Sequence, residues 1–232
     1  MSDSPSFAEF ARATWIILDK DLKVELRSKE TIATALLFGV VLTFVFAFGF
    51  FEDARANLVM TPGILWAALL FTGSLCVGRT FAQEQESGAF TALALSPAPR
   101  ASILAAKVIM NLLMQTAVML LVAPLLAILF HIDLTPHAPA LTLLLGLSAL
   151  GFSLIATPLA VLAVSARFPE VLLPMVTFPL VTPILICGVR GAAALLGTSV
   201  DQDYTSWAQL LLAFDLMIGV GAFSLFDWMV SE

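Results

Sequence analysis

Six long apolar runs constrain this chain more than any other feature of its sequence. Each has about 20 or more residues and few charges, which is enough for a helix to cross the hydrocarbon core of a bilayer. Lipid offers no water to the backbone amides, so such a segment must form a helix or a strand of a closed barrel. The runs are too long for barrel strands and do not alternate. The sequence therefore predicts an all-α polytopic membrane protein.

The positions of the runs predict how the chain is organised. Residues 1–30 precede the first run, and residues 31–232 are predicted to form a single transmembrane domain. Only 12% of the residues are charged, about half the fraction found in soluble domains, which agrees with this assignment. The six predicted spans are 31–51, 58–77, 101–130, 140–166, 170–189 and 207–229.

Two segments depart from a plain spanning helix. In residues 1–30, apolar residues such as Phe7, Trp15, Leu18 and Leu26 recur at helical spacing between charged ones. This pattern predicts an amphipathic helix in the membrane interface, or alternatively a helix packed on the same protein. In the fifth run, three interior prolines (residues 174, 179 and 183) each remove a helix hydrogen bond, so that helix is predicted to be bent or broken.

The basic residues predict the orientation, because loops that remain in the cytoplasm carry an excess of Lys and Arg. With a cytoplasmic N-terminus, the cytoplasmic side holds nine of the 11 basic residues and the other side holds Arg55 and Arg190. The nine are Arg12, Lys20, Lys23, Arg27, Lys29, Arg79, Arg100, Lys107 and Arg167. Six crossings then place both termini in the cytoplasm.

The longest polar interruption is Arg79–Arg100, RTFAQEQESGAFTALALSPAPR, between the second and third spans. We interpret it as a short cytoplasmic helix through which another protein acts on this one. The acids suit the start of a helix, where the dipole favours them, and the apolar residues suit a partner's groove. The alternative is a solvated connector. The candidate coupling residues are Glu84, Gln85, Glu86, Gly88, Phe90 and Leu93.

Four polar residues within the apolar runs are candidates for intramembrane contacts. Lys107, Asn111 and Gln115 step by four and share one face of the third span. Lys107 is predicted to extend its ammonium group to the inner interface, and the two amides to hydrogen-bond a neighbouring helix rather than line a pathway. Asp215 lies inside the sixth span, where a carboxylate is costly. Either it faces a cavity or subunit contact, or it is a neutral or hydrogen-bonded acid near the outer interface.

The sequence has no motif for catalysis by the chain itself. It lacks the GxxxxGK[ST] phosphate loop and the HExxH, GxSxG and CxxC motifs, so we expect neither an ATPase nor another enzyme, and no metal site. It has no basic block that would indicate nucleic-acid binding. Cys76 and Cys187 both lie in apolar runs, which favours buried thiols over a disulfide.

Several of these features together resemble a known family. The segments Thr61–Trp66 (TPGILW), Phe81–Pro97 (FAQEQESGAFTALALSP) and the proline-rich fifth span, with Lys107, resemble permease subunits of ABC-2-type exporters. Within that group the chain is most similar to the haem exporter protein B (CcmB) family. The resemblance covers nearly the whole chain.

The resemblance implies a function and a set of partners. The chain would be a homodimeric permease subunit in the bacterial inner membrane, with two copies of a separate ATP-binding subunit docked on a coupling helix between spans two and three. A haem-handling membrane subunit and a small accessory subunit would complete a complex for cytochrome c maturation. Haem would be a cargo of the complex, and no cofactor is assigned to this chain. The alternatives are an ABC-2 permease for a lipid, polysaccharide or drug, and a non-transporting membrane scaffold.

Overall fold

The computed structural model describes residues 6–49, 53–88, 96, 98–164, 169–199 and 203–229, which form an all-α bundle. Six of its helices are long and apolar enough to span a membrane, as the sequence predicts. A short 3₁₀ helix, Thr135–His137, lies between the fourth and fifth α-helices. The seven α-helices of this part of the chain are α1 (Phe7–Ser28), α2 (Glu30–Gly49), α3 (Ala54–Ser87), α4 (Arg100–Phe130), α5 (Ala138–Val164), α6 (Pro169–Leu195) and α7 (Tyr204–Met229).

Helix α1 is defined at both ends by its sequence. Ser6 accepts a hydrogen bond from the Glu9 amide, and the Glu9 side chain accepts one from the Ser6 amide, which together form a capping box. Lys29 ends the helix in a left-handed conformation with φ of 54°. The helix packs on α4, where Ser102 Oγ donates to the Phe10 carbonyl at 3.3 Å.

The face by which α1 packs differs from its predicted apolar face. Leu18 is buried as expected, but Trp15 and Leu26 are exposed. The buried stripe instead carries Asp21 and Glu25. Sequence periodicity identified the helix correctly, but it did not show that Asp21 and Glu25 point into the protein.

Helices α2, α3 and α4 alternate in direction, as contacts near their ends establish. Arg79 near the end of α3 reaches Glu30 at the start of α2, and Lys107 near the start of α4 reaches Glu84. Helix α5 lies at the centre and packs against α3, α4, α6 and α7. We call the end of the bundle that contains Glu30, Glu84 and Lys107 the charged end, and the end that contains Thr135–His137 the distal end.

Helix α3 is longer than the predicted second span. It runs without interruption from Ala54 to Ser87, so it begins before residue 58 and continues ten residues past Val77. Pro62 therefore lies inside the helix rather than in its first turn. Because proline has no backbone N–H, one backbone hydrogen bond of the helix is missing, and a helix packed in a bundle tolerates this loss.

Helix α6 continues through all three of its interior prolines. It is one α-helix from Pro169 to Leu195, so of the two predicted alternatives, bent or broken, the broken helix is not observed, and the helix extends beyond residue 189. Thr182, next to the last of these prolines, donates its hydroxyl to the Phe178 carbonyl at 2.9 Å. This bond adds to a carbonyl that the Thr182 amide also faces, whereas the carbonyl that Pro183 leaves without its backbone donor is that of Pro179.

Close approach of the helices depends on glycines opposite large side chains. The Trp66 indole of α3 lies against Gly188 of α6 and donates from Nε1 to Ser148 Oγ of α5 at 2.8 Å. A Cβ atom at position 188 would overlap that indole. Such pairs of small and large residues let helix backbones come close where lipid offers no hydrophobic driving force.

Candidate functional site at the charged end

Lys107 is the most deeply buried charged residue that the structure describes, with only 2% of its surface exposed. It lies on the second turn of α4, which points its side chain between α1 and the end of α3. A buried ammonium ion is stable only with a charged partner and satisfied hydrogen bonds. The surroundings of Lys107 therefore decide what this end of the bundle can do.

Two carboxylates from different helices share this ammonium group. Lys107 Nζ donates to Asp21 Oδ2 of α1 at 2.7 Å and forms a direct ion pair with Glu84 Oε1 of α3. Lys20 of α1 adds a second cation, 2.8 Å from Asp21 Oδ1 and 3.8 Å from Glu84 Oε1. We call Lys20, Asp21, Glu84 and Lys107 the charge cluster. It contains two positive and two negative groups and joins three helices.

The prediction that Lys107 extends to the membrane interface is wrong. Its four methylene groups are buried with its ammonium group, and the charge is neutralised inside the protein. The sequence separates Lys107 from its two acids by 86 and 23 residues, so no local pattern reveals the pairing. Only the packing of α1 and α3 against α4 brings Lys107 and its two acids together, and sequence periodicity contains no information about that packing.

Further polar contacts connect the charge cluster to α2. Glu25 Oε1 of α1 accepts a hydrogen bond from the Ile32 amide at 2.8 Å, which satisfies one of the free donors at the start of α2. Glu30 accepts from Arg79 at 2.5 Å and from Gln83 at 3.4 Å, both on α3. The charged end is thus one connected network that includes α1, α2, α3 and α4.

The predicted coupling stretch is built differently from the short helix that the sequence indicated. Glu84, Gln85 and Glu86 lie in the last turn of the long helix α3, where the dipole disfavours acids, rather than at the start of a new helix. Gly88 follows with φ of 67°, a left-handed conformation that suits glycine. Phe90 and Leu93 lie outside the described residues.

The Glu84 side chain points into the bundle, whereas a surface contact with a partner would require it to face outwards. It is buried against Lys107, so the structure places it inside the bundle rather than on an exposed docking face. The ion pair with Lys107 offsets the unfavourable position of Glu84 at the helix end. Any force applied to the end of α3 therefore acts directly on this buried pair.

The two amides of α4 have different environments. Asn111 Nδ2 donates to Thr157 Oγ1 of α5 at 2.9 Å, which confirms the predicted bond to a neighbouring helix. Gln115 is fully buried beside Gly73 and Phe152, but its amide forms no hydrogen bond within the described part of the chain. For Gln115 the prediction of an interhelical bond is wrong, since neither polar atom of its amide has a partner among the described residues.

Asp215 lies in the interior, away from the charge cluster. It is 3% exposed and packs from α7 against Gly151 of α5 and Ile184 of α6. Neither carboxyl oxygen has a hydrogen-bond partner among the described residues. Of the two interpretations from sequence, the hydrogen-bonded acid is therefore not observed. Cys76 and Cys187 are buried free thiols, as expected.

Sequence reasoning missed Asp21 and Glu25 as interior residues. A signal was present, because both acids share one helical stripe with Thr14, Ile17 and Leu18, at steps of three and four. An apolar stripe that ends in two acids predicts a buried cation opposite it, since acids in a packed interior need a partner. Lys107, the one basic residue inside a predicted span, was the available candidate.

Comparison with known proteins shows which family this chain is similar to. The model of the CcmB protein family matches residues 12–227, which covers all the spanning helices and most of α1. Proteins named haem exporter protein B are similar over most of their length. The one from Rhodobacter capsulatus is 31% identical over 77% of this chain and 84% of its own, and the one from Paracoccus denitrificans is 32% identical over 76% and 83%.

A more distant relative extends the similarity to nearly the whole chain. Haem exporter protein B of Pseudomonas aeruginosa is 26% identical over 88% of this chain and 91% of its own. The match over residues 12–227, together with these relatives, shows that the chain belongs to the CcmB protein family.

Proposed function

We propose that this protein is the membrane subunit of an ATP-driven complex that exports or delivers haem for cytochrome c maturation. The observation that carries the proposal is the family match over residues 12–227, together with relatives that are named haem exporter protein B. The six spanning helices fit a permease subunit. The sequence has no phosphate loop, so the ATP is bound and hydrolysed by a separate subunit, present in two copies.

The end of α3 is the part of the chain on which that subunit acts. Helix α3 connects the distal end to the charged end as one continuous element and finishes at Ser87. A force on the segment after Ser87 reaches Glu84 within one turn, and Glu84 is paired with Lys107 of α4. Motion of the ATP-binding subunit is therefore transmitted to two spanning helices at once. Glu86, Gly88, Phe90 and Leu93 form the contact, and Glu84 forms the link into the bundle.

The charged end faces the cytoplasm in this proposal, with both termini on that side of the bacterial inner membrane. The distribution of the 11 basic residues, nine to two, supports this orientation. The protein acts as a homodimer with a haem-handling membrane subunit and a small accessory subunit. The similarity to haem exporter proteins supports the presence of these two subunits. They provide the haem-binding groups, none of which is assigned to this chain.

Deletion of the gene tests the cargo. We expect the deletion strain to lose c-type cytochromes, measured by haem staining and difference spectra, and to regain them with the wild-type gene. Normal c-type cytochromes together with loss of a different export phenotype would contradict the haem proposal and favour another ABC-2 permease.

Purification tests the partners. We expect the protein, extracted in mild detergent, to bring down an ATP-binding subunit and haem-handling proteins, identified by mass spectrometry. Addition of a non-hydrolysable ATP analogue should change the protease sensitivity of the segment after Ser87. A chain that neither recruits an ATP-binding subunit nor responds to nucleotide would instead be a scaffold.

A further inference from the structure

We propose that Lys107 is a positioning residue that exchanges between Asp21 of α1 and Glu84 of α3 and keeps α4 paired while the end of α3 moves. This inference rests on the proposed function, in which a partner displaces that end. It goes further by assigning α1 a part in the motion. The observation behind it is one buried ammonium group that bonds carboxylates from two separate helices.

The four charges of the cluster form two ion pairs, each with one positive and one negative group. Lys20 and Asp21 lie next to each other on α1 and form an ion pair of 2.8 Å, while Lys107 and Glu84 form a second pair between α4 and α3. If α1 leaves the bundle, each pair remains neutral. If the end of α3 leaves, Asp21 still pairs with Lys107, and Lys20, already 44% exposed, is solvated. Neither movement leaves a buried charge without a partner.

This property distinguishes the cluster from an ordinary buried ion pair. Separation of a single buried pair leaves an uncompensated charge and strongly opposes movement. A shared lysine removes that penalty, because the second acid is within bonding distance before the first one leaves. The lysine side chain suits this role, since its ammonium group has three donors on a flexible stem and needs no fixed planar geometry.

The surrounding contacts determine which helices move together. Glu25 of α1 bonds the first turn of α2, and Asn111, one turn beyond Lys107 on α4, bonds Thr157 of α5. With Lys107 held by Asp21, helices α1, α2, α4 and α5 stay connected while α3 is displaced. With Lys107 held by both acids, α3 joins the same unit. The state of the ion pair between Lys107 and Glu84 therefore determines whether α3 moves together with these four helices or relative to them.

Spin labels on α1 and α3 test the exchange. Arg27→Cys and Ala82→Cys place labels at exposed positions on the two helices, and the native cysteines are buried. The distance between the labels is measured by pulsed electron resonance in the complex with its ATP-binding subunit, with and without a non-hydrolysable ATP analogue. Asp21→Asn and Glu84→Gln each remove one acid and preserve shape. Asp19→Asn is the matched control, since Asp19 pairs with Lys23 on the exposed side of α1.

Each variant has a distinct expected result. In the wild type and the Asp19→Asn control, the analogue should shift the distance distribution. Glu84→Gln should give the shifted distribution with and without the analogue, because only Asp21 then holds Lys107. Asp21→Asn should broaden the distribution without the analogue, because α1 is no longer held. Wild-type distributions in both Asp21→Asn and Glu84→Gln would overturn the proposal.

The same labels separate this inference from the proposed function. If the wild type shows no shift with the analogue, coupling to an ATP-binding subunit is contradicted. The isolated protein without nucleotide then still decides the role of Lys107. There, Asp21→Asn and Glu84→Gln should each broaden the distribution relative to Asp19→Asn, and an unchanged width in both would refute the shared lysine.

Discussion

The Trp66 side chain of α3 fills the space that Gly188 of α6 leaves open, and a Cβ atom at position 188 would overlap its indole. The same indole donates to Ser148 of α5, so one residue fixes three helices by shape and by one hydrogen bond. We expect Gly188→Ala to displace Trp66 and to lower the free energy of unfolding by about 1–3 kcal/mol, as overpacked cores do.

The matched control for this change is Gly146→Ala on α5. No neighbouring atom lies within 4 Å of a Cβ at position 146, so the substitution should be neutral or slightly stabilising because alanine favours helix. Thermal unfolding in detergent, followed by tryptophan fluorescence, compares the two variants. Equal stability of both would show that Trp66 does not occupy this space.

Removal of the lysine from the charge cluster should be far more costly than removal of an exposed cation. Lys107→Met leaves Asp21 and Glu84 without their shared partner, and we expect a loss of about 3–5 kcal/mol. Arg79→Met removes an ion pair with Glu30 whose side chains are 40% and 58% exposed, and we expect a loss below about 1 kcal/mol. Chemical unfolding in detergent measures both, and similar losses would contradict the burial of Lys107.

The hydrogen bond between Asn111 and Thr157 should have a measurable coupling energy. Interhelical bonds of this kind contribute about 0.6 kcal/mol on average within membranes. A double-mutant cycle with Asn111→Leu and Thr157→Val should give a value of about that size. Thr116→Val is the control partner, because its hydroxyl bonds Leu112 within α4. Coupling of Asn111 to Thr116 as strong as to Thr157 would rule out the observed pairing.

Asp215 should be replaceable at no cost to stability. Its carboxyl is buried without a hydrogen-bond partner among the described residues, and an unsatisfied buried polar group costs about 1–3 kcal/mol. Asp215→Leu removes this polar group and keeps a similar volume, so we expect it to leave unfolding unchanged or to stabilise the protein. Asp203→Asn, at an exposed position before α7, is the control and should have no effect. Destabilisation by Asp215→Leu beyond about 1 kcal/mol would show that the carboxyl has a partner in the folded protein.

Helices were predictable from this sequence and their partners were not. The apolar runs identified all six spanning helices, because lipid leaves the backbone no alternative. The helix limits were less certain, since α3 continues through the polar residues from Arg79 to Ser87 without any change of backbone structure. The prolines of α6 do not break the helix, which packs along its length against α5 and α7.

The candidate site was predicted in part. Glu84 and Lys107 were both singled out, but as a surface contact and an interfacial cation, and their ion pair was not foreseen. That pairing depends on how α1 and α3 lie on α4, and hydrophobic periodicity carries no information about such contacts. For the same reason, Asp21 was not singled out.

The uninterrupted course of α3 also has a mechanical consequence. Its 34 residues make a rod of about 51 Å, roughly 20 Å longer than the hydrocarbon core. A tilt of about 5° about one end of such a rod displaces the other by about 4 Å, more than the length of a hydrogen bond. A small tilt of α3 about its end at one surface of the membrane thereby produces a larger displacement of its end at the other surface. This displacement needs no chain of side-chain contacts between the two ends.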